Sequence, residues 1–278
     1  MMNIDNGALT FAFLITAFAG LSTGIGSLIG LLAKTTKPRL LAFSLGLSAG
    51  VMVYISFVEM YPIALDALKT EYGNKNGTVY ALIAFFGGIA LTAIIDKLIP
   101  AFENPHEARK VEELHDKKQK KKLSSLMRVG VFSSVVIALH NFPEGIATFV
   151  SGLSSPSIGV AIALAVAIHN IPEGIAVSVP IYYATGSRKK AFWYSFATGL
   201  FEPLGALFAW YVIFPLFPNM DAELFSGVTL GVVAGIMVYI SFDELLPSAE
   251  EYGEHHIAIY GLISGMAIMA VSLLAFEF

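Results

Sequence analysis

The sequence predicts an all-α polytopic membrane protein built as an inverted repeat, and three observations predict it. Hydrophobic residues make up 56% of the 278 residues and charged residues only 14%, whereas soluble domains carry about 25% charged residues. The apolar residues are gathered into eight segments, each long enough to cross a hydrocarbon core about 30 Å thick. Two sequence motifs each occur twice, in segments that cross the membrane in opposite directions.

The eight apolar segments are interpreted as transmembrane helices, because lipid offers the backbone no hydrogen-bond partners. Together they form a single membrane domain that takes in the whole chain, 1–278. In chain order, spans 1 to 8 cover residues 8–33, 40–66, 78–99, 126–152, 157–181, 190–214, 223–247 and 257–277.

The basic residues predict the orientation. Of the 17 Lys and Arg residues, 15 lie around the loops after spans 1, 3 and 5, which share one side of the membrane. We expect that side to be cytoplasmic, since short cytoplasmic loops are enriched in Lys and Arg. The even number of spans then places both termini outside. The one long loop, 100–125, is cytoplasmic, and a solvated linker is favoured over a segment lying on the anionic inner leaflet.

Two internal repeats relate the halves of the chain. Residues 49–62 (AGVMVYISFVEMYP) and 234–247 (AGIMVYISFDELLP) are identical at ten of 14 positions, and they fall in spans 2 and 7. The motif His-Asn-x-Pro-Glu-Gly occurs at 140–145 in span 4 and at 169–174 in span 5. One pseudo-two-fold axis in the membrane plane would relate both pairs, as in secondary transporters. The alternative is a duplication without a transport function.

The twin motif places metal-ligating side chains together near the middle of the bilayer. In a helix, His at i and Glu at i+4 lie one turn apart on the same face, and the Asn can point into the same cavity. At about 1.5 Å per residue, both copies fall near the membrane midplane. The predicted ligands are His140, Asn141, Glu144, His169, Asn170 and Glu173.

A divalent transition metal suits this set of ligands. No Lys or Arg lies within a span away from its ends, so metal or protons must neutralise the carboxylates, which are costly at that depth. Imidazole and carboxylate suit Zn²⁺, Fe²⁺, Mn²⁺ or Co²⁺, and the lack of cysteine argues against Cu(I). Glu202, in the centre of span 6, is a third carboxylate and extends the prediction to two ions. The alternatives are a proton-sharing network that only packs the helices and a structural role for Glu202.

Acidic residues near the ends of spans 2 and 7 are candidates for the entry and exit of a cation. Glu59 falls near the outer end of span 2, and Asp243 and Glu244 fall near the inner end of span 7. Interfacial side chains that simply reach water would give the same pattern.

The motifs resemble those of the ZIP (Zrt- and Irt-like) family of metal transporters, in particular its bacterial ZupT-type members. HNFPEGIA at 140–147, HNIPEGIA at 169–176 and FEPLG at 201–205 carry the resemblance. It implies a 3+2+3 helix bundle in the bacterial inner membrane, often a homodimer. The implied activity is import of zinc and also of iron(II), manganese, cobalt and cadmium.

The resemblance also implies a binuclear metal site. One metal position is matched by His140, Glu144, His169 and Glu173, and the second by Asn141, Asn170, Glu202 and the shared glutamates. Where other members have His-Glu in span 7, this chain has Asp243-Glu244, which puts a histidine-based exit site in doubt.

Two other functions are compatible with the same residues. An intramembrane metal-dependent hydrolase would need an open metal position and a general base, but the chain lacks His-Glu-x-x-His and duplicates its motif symmetrically. A proton-conducting or sensor protein could use the same His–Glu pairs. We predict a transporter and not an enzyme. The metal is its substrate rather than a catalytic cofactor, its other partner is the lipid bilayer, and no nucleic acid is involved.

Overall fold

The computed structural model describes residues 5–32, 38–98, 119–217, 222–252 and 255–277. All regular secondary structure in these ranges is helical. Most of the predicted cytoplasmic loop, 100–125, lies outside the described residues. Some helical residues, His140 among them, are described by their backbone alone.

Eleven α-helices follow one another in the described ranges. They are α1 (Asn6–Leu32), α2 (Pro38–Ile55), α3 (Tyr61–Leu98), α4 (Gln119–Ser154), α5 (Pro156–Thr185), α6 (Arg188–Gly199), α7 (Phe201–Phe208), α8 (Phe214–Leu216), α9 (Ala222–Ile240), α10 (Leu246–Tyr252) and α11 (His255–Glu277). Three π-helical segments continue these helices without a loop: Ser56–Met60 after α2, Ala209–Ile213 after α7 and Ser241–Leu245 after α9.

Six helical stretches of the described residues are long and apolar enough to cross a membrane. One of them, Ala42–Lys97, has 56 residues and contains most of the predicted spans 2 and 3. Within it, Gly73 has φ 76° and ψ 163°, a conformation that is essentially confined to glycine. Gly77 then packs against the backbone of Leu68 and Lys69, so the chain doubles back there. An all-helical polytopic membrane protein is confirmed, and the count of eight spans stays a prediction.

The distribution of polarity is the reverse of that in a soluble protein. Glu144, His169 and Glu202 are at most 1% exposed, whereas Ile83 and Val271 are 62% and 67% exposed. Apolar side chains on the outside suit contact with lipid, and ionisable side chains inside a membrane protein normally serve its function.

Glycines bring the helices around this polar centre into backbone contact. A Cβ added at any of four of them would lie 1.9–2.1 Å from a carbonyl oxygen of the neighbouring helix, so no side chain fits there. Between α1 and α5 the contacts are Gly26 with Ile171 and Gly174 with Thr23. Between α4 and α7 they are Gly205 with Phe142 and Gly145 with Glu202.

The same kind of contact joins three further pairs of helices. Gly20 of α1 and Gly199 of α6 each face the other's carbonyl oxygen, so these two helices cross backbone to backbone. α2 packs on α11, and α3 packs on α9. The glycines at those two contacts are Gly46, Gly50, Gly261 and Gly265 for the first, and Gly88 and Gly235 for the second.

Candidate metal centre

Six of the seven predicted ligands have described side chains, and all six are buried, with at most 1% of each exposed. α4 carries Asn141 and Glu144, α5 carries His169, Asn170 and Glu173, and the first turn of α7 carries Glu202. The seventh, His140, has its backbone in α4 and its side chain outside the described set. α4 and α5 pack on each other, with α1, α6 and α7 against them.

The two copies of the motif meet directly where their helices pack together. His169 Nε2 lies 3.2 Å from Glu144 Oε2, which is hydrogen-bond distance. The backbone of His169 also accepts a hydrogen bond from the Ser48 hydroxyl of α2, at 3.4 Å. The structure therefore brings together the His of one copy and the Glu of the other, as the antiparallel arrangement predicts.

The two asparagines bind the backbone of the helices that cross beside them. The side-chain amide of Asn170 donates to the carbonyl of Ala19 in α1, at 2.9 Å, and to Glu202 Oε1. The side-chain amide of Asn141 donates to the carbonyl of Thr198 in α6, at 3.2 Å. Because both amide nitrogens are engaged, the Oδ1 atoms are what these residues can offer to a cation.

Four buried oxygen atoms of the centre have no hydrogen-bond partner among the described residues. They are Asn141 Oδ1, Glu144 Oε1, Asn170 Oδ1 and Glu202 Oε2. Amide and ionised carboxylate oxygens only accept hydrogen bonds, and burying them unsatisfied is costly. Glu202 also interacts electrostatically with Glu144 and Glu173. A cation would satisfy the oxygens and the carboxylate charge together.

The described side chains form two pairs rather than one closed cage. Glu144 pairs with His169, and Asn170 pairs with Glu202. Within the described ranges, no three His, Asp or Glu side chains lie close enough together to hold a metal ion. A metal ion at either pair would therefore need a further ligand, such as His140 or an asparagine oxygen, or a movement of the two pairs towards each other.

Comparison with known sequences identifies the family. A family model described as "ZIP Zinc transporter" matches residues 101–273. The chain is 58% identical to "Zinc transporter ZupT" of Streptococcus mutans over 265 residues, which cover 95% of this chain and 97% of that protein.

The chain belongs to the ZIP family.

Two further relatives of the same description support this membership. The chain is 56% identical to the protein of Chlorobaculum parvum over 269 residues, with 97% of this chain and 98% of that one covered. It is 58% identical to the protein of Oceanobacillus iheyensis over 271 residues, with 98% and 99% covered. The predicted ZIP resemblance of the bacterial ZupT type is thus confirmed. ZIP proteins are transporters rather than enzymes, and this ZIP chain is a multi-pass membrane protein.

The candidate entry and exit residues of this ZIP chain lie apart from the helices that form the centre. Glu59 lies in the π-helical segment Ser56–Met60, which packs against α9. Asp243 and Glu244 lie in the segment Ser241–Leu245, which packs against α2. All three side chains are partly buried. Their role stays a prediction.

The ZIP motifs did not predict that α1 takes part in the centre. Ala19 accepts the Asn170 amide, and Thr23 is fully buried beside Gly199. The sequence does not single out Ala19 or Thr23, because the contacts of both residues depend on how α1 crosses α5 and α6. The local signal is the series of glycines at 20, 24, 26 and 30, since a glycine inside an apolar helix often marks a close contact.

Proposed function

We propose that this ZIP-family chain imports divalent transition-metal ions, zinc foremost, across the bacterial inner membrane. The metal ion is the transported substrate, and iron(II), manganese, cobalt and cadmium are further substrates. The names of the relatives, which describe zinc transporters, support zinc. The predicted cytoplasmic excess of Lys and Arg supports the orientation.

The observation that carries the proposal is the buried set of acceptor oxygens described above. The sequence has no Lys or Arg between residues 129 and 187 or after residue 190. The centre therefore has no basic side chain of α5, α7 or the second half of α4 to balance its carboxylates. Divalent cations supply that charge, and imidazole with carboxylate and amide oxygens suits zinc and its neighbours.

We place two ions in the centre. His140, Glu144, His169 and Glu173 hold the first, and Asn141, Asn170 and Glu202 hold the second together with the shared glutamates. Three carboxylates offset most of the charge of two divalent ions. The pairing of Asn170 with Glu202, separate from that of Glu144 with His169, supports two positions.

The architecture proposed for transport is the eight-span, 3+2+3 inverted repeat. Contacts in one half recur in the other: Gly50 faces the carbonyl of Leu262, and Gly235, which is 185 residues further on, faces that of Phe85. The π-helical segments Ser56–Met60 and Ser241–Leu245 are also 185 residues apart. Both termini are then extracytoplasmic, loop 100–125 is cytoplasmic, and two chains form a homodimer.

The path to and from the centre passes the two π-helical segments. Glu59 serves the outer side, and Asp243 with Glu244 serves the inner side. π-helical turns are frequent at functional sites, and here each carries carboxylates at equivalent positions of the repeat. Access alternates between the two sides around the central site.

Alanine substitution of Glu144 or of Glu173 tests the site. Each variant should lose uptake of radioactive zinc, to within a few per cent of background, while the protein still reaches the membrane. Each should also lose the rise in melting temperature that zinc gives the purified protein. Glu71→Ala, which removes an exposed carboxylate of α3, is the matched control and should transport normally. Normal zinc uptake by Glu144→Ala or Glu173→Ala would overturn the assignment.

The family does not favour the alternative of an intramembrane metal-dependent hydrolase. Flux of zinc into sealed liposomes that contain the purified protein distinguishes the two functions. A hydrolase binds zinc without moving it across the bilayer.

A further inference from the structure

Thr23 in α1 is the counterpart of Glu202 in α7. It makes the contacts with the second copy of the motif that Glu202 makes with the first. The carbonyl of Glu202 faces Gly145 in the first copy of the motif, and the carbonyl of Thr23 faces Gly174, the same residue of the second copy. A Cβ added at Gly20 would lie 3.3 Å from Glu202 Cβ, and one added at Gly199 would lie 3.0 Å from Thr23 Cβ. Both the carbonyl and the Cβ of Thr23 therefore make contacts equivalent to those of Glu202.

The asparagine hydrogen bonds show the same equivalence. Asn170 donates to the carbonyl of Ala19, four residues before Thr23, and Asn141 donates to the carbonyl of Thr198, four residues before Glu202. Asn170 bonds Glu202 across the gap between α5 and α7. By the same relation, we expect position 23 to lie across from Asn141.

The Thr23 hydroxyl is a buried oxygen that the fold does not use. Thr23 is 0% exposed, and its Oγ1 has no hydrogen-bond partner among the described residues. Its proposed neighbour Asn141 Oδ1 is in the same state. Threonines elsewhere in the same helix behave differently: the hydroxyl of Thr16 donates to the carbonyl of Ala12 at 2.8 Å. A buried hydroxyl usually finds such a bond.

We propose that Thr23 is a further ligand of the metal centre, whose hydroxyl, with Asn141 Oδ1, offers neutral oxygen to the second ion on the side opposite Glu202. This inference rests on the proposed transport function. Hydroxyl and amide oxygens are hard ligands without charge. The second ion therefore meets the Glu202 carboxylate on one side and neutral groups, which release an ion more easily, on the other.

Thr23→Val tests the role of the hydroxyl, because valine keeps the branched shape and removes only the oxygen donor. If the hydroxyl only filled space, valine would leave zinc uptake unchanged and the metal-free protein as stable as before or more so. We expect metal-free stability to be kept, with the KM for zinc uptake and the zinc dissociation constant of purified protein both about tenfold higher. Thr23→Ser restores the oxygen and should recover affinity relative to Thr23→Val.

Thr16→Val is the matched control. It makes the same change in the same helix, at a buried hydroxyl whose hydrogen bond lies within α1. Its KM for zinc should match that of the unaltered chain. An equal rise of KM in Thr16→Val and Thr23→Val would overturn the inference, because both would then act by loosening α1.

Exchange of the two residues tests their equivalence without relying on Thr23→Val. Glu202→Thr alone should lose most zinc uptake, and the double variant Thr23→Glu with Glu202→Thr should regain at least a tenth of it, because the carboxylate returns at the equivalent position. No recovery in a double variant that reaches the membrane and melts like Glu202→Thr would overturn the inference.

The two proposals fail in different ways. If Glu202→Thr and Glu173→Ala transport zinc normally, the proposed site itself is wrong. If those variants lose uptake while Thr23→Val keeps the original KM and dissociation constant, the site stands and the role of Thr23 is wrong.

Discussion

Asn170 stabilises the centre at the scale of single residues, because its one amide group satisfies two acceptors. It donates to the carbonyl of Ala19 and to Glu202. Removing a donor from a buried acceptor costs about 1–3 kcal/mol, more for a charged group. The residue therefore supports the helix crossing and the carboxylate together, besides presenting Oδ1.

Asn170→Asp should make the protein more dependent on metal. The change removes the donor and adds a fourth carboxylate beside Glu202. We expect a metal-free melting temperature several degrees lower than that of the original chain and a larger rise on addition of zinc. Thermal unfolding of purified protein with chelator and with zinc measures both. The control Asn74→Asp, at an exposed position, should change neither the metal-free melting temperature nor its rise with zinc. If Asn170→Asp also left both values unchanged, the role given to the Asn170 amide would be wrong.

The meeting of the two motif copies could be predicted from the sequence, because the motif is duplicated in antiparallel spans, but the other partners of the motif residues could not. His169 and Glu144 are recognisable as ligand types, and the antiparallel spans predict that they meet. The hydrogen bond from Asn141 to the carbonyl of Thr198 forms only if the point where α6 crosses α4 is correct to within one residue. The sequence around Thr198 and Ala19 does not show which residues of the crossing helix lie beside them.

Close glycine contacts hold the helices together at the scale of elements, and two adjacent glycines of α3 show how specific those contacts are. A Cβ added at Gly88 would lie 2.0 Å from the carbonyl oxygen of Val232 in α9, whereas one added at Gly87 meets nothing within 4 Å. The two positions are both helical and adjacent in sequence, so they share propensity and depth.

Gly88→Ala should destabilise the protein, and Gly87→Ala should not. Forcing α3 from α9 costs about 1–3 kcal/mol, as overpacking does in other cores. Replacing an unconstrained helical glycine by alanine gains up to about 1 kcal/mol. Melting temperatures of the two purified variants should therefore move in opposite directions. Equal shifts would mean that the α3–α9 contact is not as tight as described.

Helices could be predicted from apolar segments, but interruptions within them were not. Glu202 lies in α7, which begins after Leu200 and is separate from α6, although span 6 reads as one apolar segment. The π-helical segments also leave no trace in hydropathy, since only the hydrogen-bond pattern changes. The sequence does carry a local signal that hydropathy misses, because proline cannot donate to the carbonyl four residues before it. Pro203 lies in the first turn of α7, and a proline follows two residues after each π-helical segment, at Pro62, Pro215 and Pro247.

The orientation of the whole molecule can be tested directly because the chain has no cysteine. Single cysteines at Asn74, Ser154 and Lys189, which are all exposed, lie in predicted loops, the first two outside and the third in the cytoplasm. An impermeant maleimide should label Asn74→Cys and Ser154→Cys in right-side-out membrane vesicles, and Lys189→Cys only in inside-out vesicles. The cysteine-free chain gives the background. Labelling of Lys189→Cys from the outside would reverse the proposed topology and with it the sense of entry and exit.

The glycine contacts also have a mechanical consequence for the whole molecule. Helices that touch backbone to backbone cannot slide without their backbones colliding, so α1 moves with α5 and α6, and α4 moves with α7. α4 also moves with α5, because Gly159 faces the backbone of Gly152. α2 with α11 and α3 with α9 form two further rigid pairs. α2 meets α5, and α4 meets α9, and none of the glycines whose surroundings are described has its nearest contacts with the other backbone there. We expect the molecule to shear at those two seams, with α1, α4, α5, α6 and α7 moving as one body past the other two pairs.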